Sequence, residues 1–212
     1  MRTLLARLAV AALLALGSVV ALAQPVAGRE FIELNPPRPV STGDRIEVLE
    51  FFYYGCPVCY EAQPHIAKWL MRAGPGVAIL RVPAAFTESS ESFARTFYTL
   101  SAMNQIARLH WPVYDNHHFD GKKLNEEQNI VEWVGSNGVD KAKFAEIWHS
   151  DETKAKVESA KQALELYQVK GVPSFVIDGK FVTSAKMAGG TREMVGVVEY
   201  LVERAGRERP KQ

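Results

Sequence analysis

Residues 51–59 read Phe-Phe-Tyr-Tyr-Gly-Cys-Pro-Val-Cys, and this stretch decides the fold. The residues that lead into it, 45–53, are apolar on both faces of a predicted strand, as expected for a central strand that is covered on both sides. Gly55 favours a turn, and Pro57 is suited to the first position of a helix. The pattern therefore predicts a buried strand, a turn, and a helix that begins at Pro57, with Cys56 near its N-cap.

The two cysteines of this stretch have the spacing of a reactive pair. Residues three apart on a helix are about 5–6 Å from each other, which suits a disulfide between Cys56 and Cys59. Cys56 lies where the helix N-terminus favours negative charge, so its thiolate, the nucleophilic form, is stabilised. Cys59 lies one turn further in, where it is shielded and able to resolve a mixed disulfide.

The cysteine content favours chemistry over a structural crosslink. The chain has 212 residues and only these two cysteines. A disulfide that closes so short a loop removes little entropy from the unfolded chain, so it would stabilise the fold poorly. We therefore predict a redox-active Cys56–Cys59 disulfide, with no other cofactor and no metal.

Three other uses of the pair are possible. Half of a zinc site would need two further ligands from histidines or carboxylates, because a second cysteine pair is lacking. An exported copper carrier could use both thiolates. A c-type haem site would need a histidine at position 60, where the chain has Tyr60.

The first 23 residues have the pattern of a cleavable secretory signal. A basic head with Arg2 and Arg7 precedes an apolar run of about 15 residues, and a small-x-small site ends at Ala23. A transmembrane anchor is the alternative, but a span needs about 20 apolar residues. Formal charge changes from +1 to −1 when the two arginines are removed, so we expect no nucleic-acid partner.

The remaining chain alternates between two kinds of pattern. A strand over 77–82 follows the first helix, which gives a strand–helix–strand unit with parallel strands. Residues 88–168 show helical periodicity and little strand signal, so we predict an insertion of four or five helices. Strand signal returns at 174–183 around Asp178-Gly179, a strong hairpin signature.

Several boundaries are predicted from local signals. A short strand is expected near residues 30–34. Helix N-caps are expected at Asp140, Asp151 and Thr191, and Asn125 with Gln128 resembles a capping box.

Two motifs together resemble the DsbA family of periplasmic thiol:disulfide interchange proteins. They are Val-Leu-Glu-Phe-Phe at 48–52, directly before the cysteine segment, and Gly171-Val172-Pro173 before the late hairpin. The resemblance implies an α/β protein, a thioredoxin fold with an inserted all-helical subdomain. It also implies that Pro173 is cis, packs beside the disulfide, and lets the Val172 backbone bind an extended substrate.

The resemblance divides the chain into five parts. They are a signal peptide (1–23), the first half of the thioredoxin fold with the active site (24–87), a helical insertion (88–168), the second half (169–205) and a flexible tail (206–212).

Glu50 is unexpected in a buried strand, because burying a carboxylate is costly unless it is paired. The family has an acid at this position beneath the inner cysteine, and a basic residue on the next strand that matches Arg81. We hypothesise that Glu50, with Arg81 near it, helps to deprotonate Cys59. The alternative is a carboxylate at the sheet edge that reaches water.

The segment departs from the family at Val58. The usual dipeptide between the cysteines is Pro-His, and here it is Pro57-Val58. Because that histidine stabilises the outer thiolate, we expect a weaker oxidant. The pKa of Cys56 should exceed the DsbA value of about 3.5 and stay below that of a free thiol.

The resemblance implies a periplasmic, monomeric oxidase that introduces disulfides into reduced or unfolded exported proteins. An inner-membrane partner like DsbB would reoxidise it. A reductase or isomerase is the alternative, although periplasmic isomerases carry a dimerisation domain for which the stretch before Glu47 leaves no room. A metal-binding dithiol carrier is the third hypothesis.

Overall fold

The computed structural model describes residues 24–209, which form one five-stranded sheet and eight helices. The strand order is β1-β5-β4-β2-β3. The elements are, in chain order, β1 (Ile32–Glu33), β2 (Ile46–Phe52), α1 (Pro57–Leu70), β3 (Val77–Pro83), α2 (Glu88–Ala102), α3 (Ile106–His118), α4 (Glu127–Ser136), α5 (Lys141–His149), α6 (Asp151–Leu166), β4 (Ser174–Ile177), β5 (Phe181–Ser184), α7 (Ala185–Ala188) and α8 (Thr191–Glu208).

Strand β2 is central, as the apolar run predicts. All seven of its residues are buried. It pairs in parallel with β3 and antiparallel with β4, so that Glu50 lies opposite Arg81 on one side and Phe175 on the other. Helix α1 makes the crossover between the two parallel strands.

The sheet has helices on both faces. Val48 and Phe175 pack against Ile66 of α1 and Leu201 of α8 on one face. On the other face, the side chains that point the opposite way along the strands pack against the end of α6 (Leu49, Phe51, Val176, Leu164 and Tyr167). This alternation follows from the period of two in strands.

The five helices α2 to α6 lie between β3 and β4 and have a core of their own. That core includes Leu100, Leu109, Ile130 and Phe144. Phe52 and Cys59 belong to the same cluster, so the helical insertion packs directly over the end of β2 and the first turn of α1.

The late hairpin has the turn that its sequence predicts. Asp178 and Gly179 both have positive φ angles, 53° and 63°. Two left-handed residues in succession match the right-handed twist of the strands. Gly179 also lies against the carbonyl of Arg38, where a Cβ atom would have no room.

The short strand predicted near residues 30–34 is β1, which covers Ile32–Glu33. Two cap predictions in the insertion were wrong. Asn125 and Gln128 form no capping box, because α4 begins at Glu127 with Glu126 as a cap that makes no side-chain hydrogen bond. Asp151 is the first residue of α6, and the cap is Ser150, whose hydroxyl accepts from the Thr153 amide.

Two further corrections concern the last helix. Its N-cap is Gly190, and the Thr191 hydroxyl donates instead to Glu61 of α1. The tail predicted to be flexible from residue 206 continues the helix to Glu208, and Arg209 then pairs with Asp178. The Asp140 cap is confirmed, since its carboxylate accepts from the Lys143 amide.

The predicted signal peptide, residues 1–23, lies outside the described residues, as do 210–212. Within 24–209, none of the helices combines the length and the apolar character needed to span a membrane.

Candidate active site

A short turn joins the central strand to the reactive pair. The chain leaves β2 at Phe52, and the Cys56 amide donates to the Tyr53 carbonyl at 3.0 Å. Cys56 has extended backbone angles and is the N-cap of α1, with Pro57 at the first helical position. The Cys59 amide donates to Cys56 Sγ at 3.2 Å. The sulfur therefore takes the place of the usual capping oxygen.

The two thiols differ in their surroundings. Both are free in the structure; Cys56 is partly exposed and Cys59 is buried. The hydrogen bond from the Cys59 thiol, followed by the Cys59 and Val58 amides, lowers the pKa of Cys56 from 9.0 to about 7, against an opposing effect of burial. Burial, and then Cys56 itself, raises the pKa of Cys59 well above 9.0.

The hydrogen bonds at Cys56 Sγ lower its pKa to about 7, and the prediction that this pKa lies above the DsbA value of about 3.5 remains to be measured. Val58 is 42% exposed and directs an apolar side chain to the surface. The Val58 side chain has no donor for the thiolate, so the stabilisation comes from the backbone amides and from the Cys59 thiol.

This pKa gives a pH-dependent prediction for the reduced protein. Alkylation of Cys56 by iodoacetamide should reach half its maximal rate near pH 7, while Cys59 stays unmodified because it is buried.

The lowered pKa of Cys56 also makes stability depend on pH. The Cys56 thiolate stabilises the fold fully above about pH 9, and this stabilisation is lost as pH falls through about 7. Chemical denaturation of the reduced protein should therefore show stability rising between about pH 7 and pH 9, and the disulfide form should not show this rise. Above about pH 9 the raised pKa of Cys59 acts in the opposite direction. Half-maximal alkylation near pH 9 would contradict the lowered Cys56 pKa on which both expectations depend.

The loop before β4 lies against the reactive sulfur. The Val172–Pro173 peptide bond is cis, and the Val172 carbonyl lies 3.7 Å from Cys56 Sγ. Ser174 closes the loop by donating to the Gly171 carbonyl at 2.7 Å. Sequence positions 56 and 172 therefore meet at one exposed edge, as the two-motif resemblance implies.

Glu50 is fully buried beneath this edge. Its carboxylate accepts from Arg81 Nε at 2.9 Å and from Gln63 Nε2 at 3.0 Å, and its side chain is 0% exposed. The alternative of an edge carboxylate in contact with water is therefore wrong. Glu50 lies close enough to Cys59 for its charge to contribute to the raised pKa of that thiol.

Sequence reasoning missed three residues of this neighbourhood. Gln63, four residues after Cys59, completes the pairing of Glu50. His110 and His118, both on α3, bond to the same residue of the turn: His110 Nδ1 pairs with the Tyr54 hydroxyl at 2.8 Å, and His118 Nε2 lies 2.7 Å from the Tyr54 carbonyl. Helical spacing could have indicated Gln63, whereas nothing local indicates the histidines.

The described residues contain no group of three or more histidine, cysteine, aspartate or glutamate side chains arranged to hold a metal ion.

Comparison with known proteins agrees with this geometry. Residues 76–201 match the family model of the DSBA-like thioredoxin domain. The thiol:disulfide interchange protein DsbA of Pseudomonas aeruginosa is 36% identical over 178 residues, which cover 84% of each chain. The chain belongs to the DsbA family. DsbA of Azotobacter vinelandii is also 36% identical, over 83% of this chain and 82% of that protein.

A solved DsbA structure shares this fold over most of the chain. The crystal structure of P. aeruginosa DsbA superimposes with a TM-score of 0.80, over 87% of this chain and 97% of the other. The predicted thioredoxin fold with a helical insertion is confirmed. The chain is a protein thiol:disulfide oxidoreductase that works by dithiol–disulfide exchange.

Proposed function

We propose that the chain acts as an oxidase, which uses a Cys56–Cys59 disulfide to introduce disulfides into reduced, unfolded exported proteins. The observation that carries this proposal is the position of Cys56 Sγ. It lies at the start of α1, with a pKa lowered to about 7 and next to the Val172 carbonyl. A sulfur that is stable as a thiolate is a good leaving group, so its disulfide gives up its bond readily.

The exchange takes two steps. A substrate thiolate attacks Cys56 Sγ, the Cys56–Cys59 bond breaks, and Cys59 leaves as a thiolate that takes up a proton. The second substrate thiolate then attacks the substrate sulfur of the mixed disulfide, and Cys56 leaves as a thiolate. The substrate loses two electrons and gains a disulfide, and the protein becomes the dithiol.

Glu50 serves the proton transfer at Cys59. In the described part of the chain, its oxygens bond to Arg81 and Gln63, and no hydrogen bond joins it directly to the Cys59 thiol. Proton transfer between the Glu50 carboxylate and the Cys59 thiol therefore needs a bridging water or a movement of one of the two side chains. Since the negative charge of Glu50 disfavours a Cys59 thiolate, Glu50 promotes protonation of Cys59 when it leaves and accepts its proton when it attacks.

The cis loop provides the substrate contact. Gly171 is exposed and Val172 is partly exposed beside Cys56, so an extended polypeptide can pair with the Val172 backbone while its cysteine reaches the sulfur. Main-chain pairing of this kind tolerates many side chains. Pro173 directly precedes β4 and, through its cis peptide bond, sets the direction of the loop, while Pro57 and Val58 form the exposed start of α1.

The same proposal covers partners and location. An inner-membrane partner like DsbB would reoxidise the dithiol, and the predicted signal peptide would deliver a monomeric protein to the periplasm. Disulfides persist in that compartment. We propose no nucleic-acid partner.

A stoichiometric assay tests the direction of exchange. The oxidised protein is mixed with a reduced, unfolded protein that has two cysteines, without another oxidant. We expect one substrate disulfide for each Cys56–Cys59 disulfide consumed. A reductase would leave the substrate reduced. A metal carrier would instead bind zinc or copper(I) stoichiometrically in its dithiol form.

A further inference from the structure

One face of α3 contacts Tyr60, the aromatic residue that directly follows Cys59. Trp111, Asp115 and His118 recur at helical spacing and face Tyr60. The Tyr60 ring stacks on the rings of Trp111 and His118. The ring centroids are 5.3 Å and 4.9 Å apart, and the angles between the ring planes are 23° and 15°. The Tyr60 hydroxyl donates to Asp115 Oδ1 at 2.8 Å. Tyr60 is thus held by three side chains of the insertion.

The same helix also holds the turn before the outer cysteine. His118 Nε2 lies 2.7 Å from the Tyr54 carbonyl. Because a carbonyl oxygen only accepts, Nε2 carries the proton and donates. Tyr54 is fully buried, so without His118 its carbonyl would lose a partner that water could not readily replace.

We propose that His118 is a positioning residue for the exchange reaction, which fixes both ends of the Cys-x-x-Cys segment and so sets the redox equilibrium of its disulfide. One contact, to Tyr54, lies two residues before Cys56. The other, to Tyr60, lies one residue after Cys59. The inference rests on the proposed function, since it concerns the same sulfur atoms.

The physical link is the hydrogen bond from the Cys59 amide to Cys56 Sγ. That bond, at 3.2 Å, is strongest when the sulfur is a thiolate. It forms only if the loop that ends at Cys56 keeps its position relative to the first turn of α1. In the disulfide, the sulfur is no longer charged. Loosening the segment therefore destabilises the dithiol form more than the disulfide form, which makes the protein a weaker oxidant.

Three variants of the full chain test the role of His118. His118→Phe keeps a ring to stack on Tyr60 and removes the donor to Tyr54. His118→Gln keeps a donor. His117→Phe is the matched control, because His117 bonds to the Lys122 carbonyl at 2.9 Å and not to the turn. Each is measured for the Cys56 pKa by thiolate absorbance, for the equilibrium constant against glutathione, and for thermal unfolding.

We expect His118→Phe to raise the Cys56 pKa and to shift the equilibrium toward the disulfide by about two- to tenfold, the range for one lost hydrogen bond. His118→Gln keeps a donor for Tyr54 but loses the stack on Tyr60, so it should give a smaller shift than His118→Phe, and His117→Phe should stay within twofold of the parent. If His118→Phe does not fold, Tyr60→Phe, which removes the bond to Asp115, should give a smaller shift in the same direction.

A purely structural His118 would lower the unfolding temperature of His118→Phe and leave the pKa and the equilibrium constant unchanged. That result, or an equal shift in His117→Phe, would overturn the inference. A failure of the proposed function is distinguishable, because then the parent protein itself would not oxidise a reduced substrate.

Discussion

A Cys59→Ser variant, mixed with two short peptides joined by one disulfide, is expected to accumulate a stable mixed disulfide through Cys56, while the second peptide leaves as a free thiol. The serine hydroxyl can still donate to Cys56 Sγ, so the thiolate remains favoured, but no second sulfur is present to release the peptide. Cys56→Ser should react at least about a hundredfold more slowly, because the remaining thiol is buried and its pKa is well above 9.0. Mass spectrometry of the trapped adduct over time measures the rate of adduct formation in both variants.

A Cys59→Ala variant provides the control for this trap. It also lacks the resolving sulfur but removes the hydrogen bond that contributes most to the lowered Cys56 pKa. It should trap the peptide more slowly at pH 7 than Cys59→Ser does. Equal adduct formation by Cys56→Ser and Cys59→Ser would show that the two sulfurs are interchangeable, contrary to the geometry.

Replacing Glu50 is expected to have the second large effect. In Glu50→Gln, the side chain keeps its shape but no longer accepts a proton, so release of the Cys56 mixed disulfide by Cys59 should slow by about ten- to a hundredfold. Stopped-flow measurement of release at several pH values should also show a weaker pH dependence than in the parent protein.

Glu47→Gln is the matched control for Glu50→Gln. Glu47 is also a buried carboxylate on β2, but it accepts from the Ser41 amide and hydroxyl, remote from the sulfur atoms. Its replacement should leave the release rate unchanged. A Glu50→Gln protein with the parent's release rate at every pH would remove Glu50 from the mechanism.

The reactive pair was predictable because its determinants are local. Gly55 and Pro57 fix a turn and a helix start, and the spacing of Cys56 and Cys59 follows from helix geometry. Glu50 was identifiable because a charge in an apolar strand conflicts with burial and requires a partner. The hairpin at Asp178-Gly179 follows from the need for two left-handed residues.

The contacts made by the insertion were not predictable in the same way. His118 and Tyr54 are 64 residues apart in sequence, and no periodicity links them. Their meeting depends on how α3 packs over the end of β2. The wrong Asp151 cap has a local cause: Ser150 and Asp151 are both good N-caps, and residue type alone does not show which of them precedes the helix.

The proposed oxidase function depends on a Cys56 thiolate that is stabilised, but less strongly than in a DsbA with histidine between its cysteines. Equilibration of the Cys56–Cys59 disulfide with glutathione tests this most directly. The predicted reduction potential lies between about −270 mV, the value for thioredoxin, and about −120 mV, the value for DsbA. A potential at or below that of thioredoxin would mark the protein as a reductant and contradict the account.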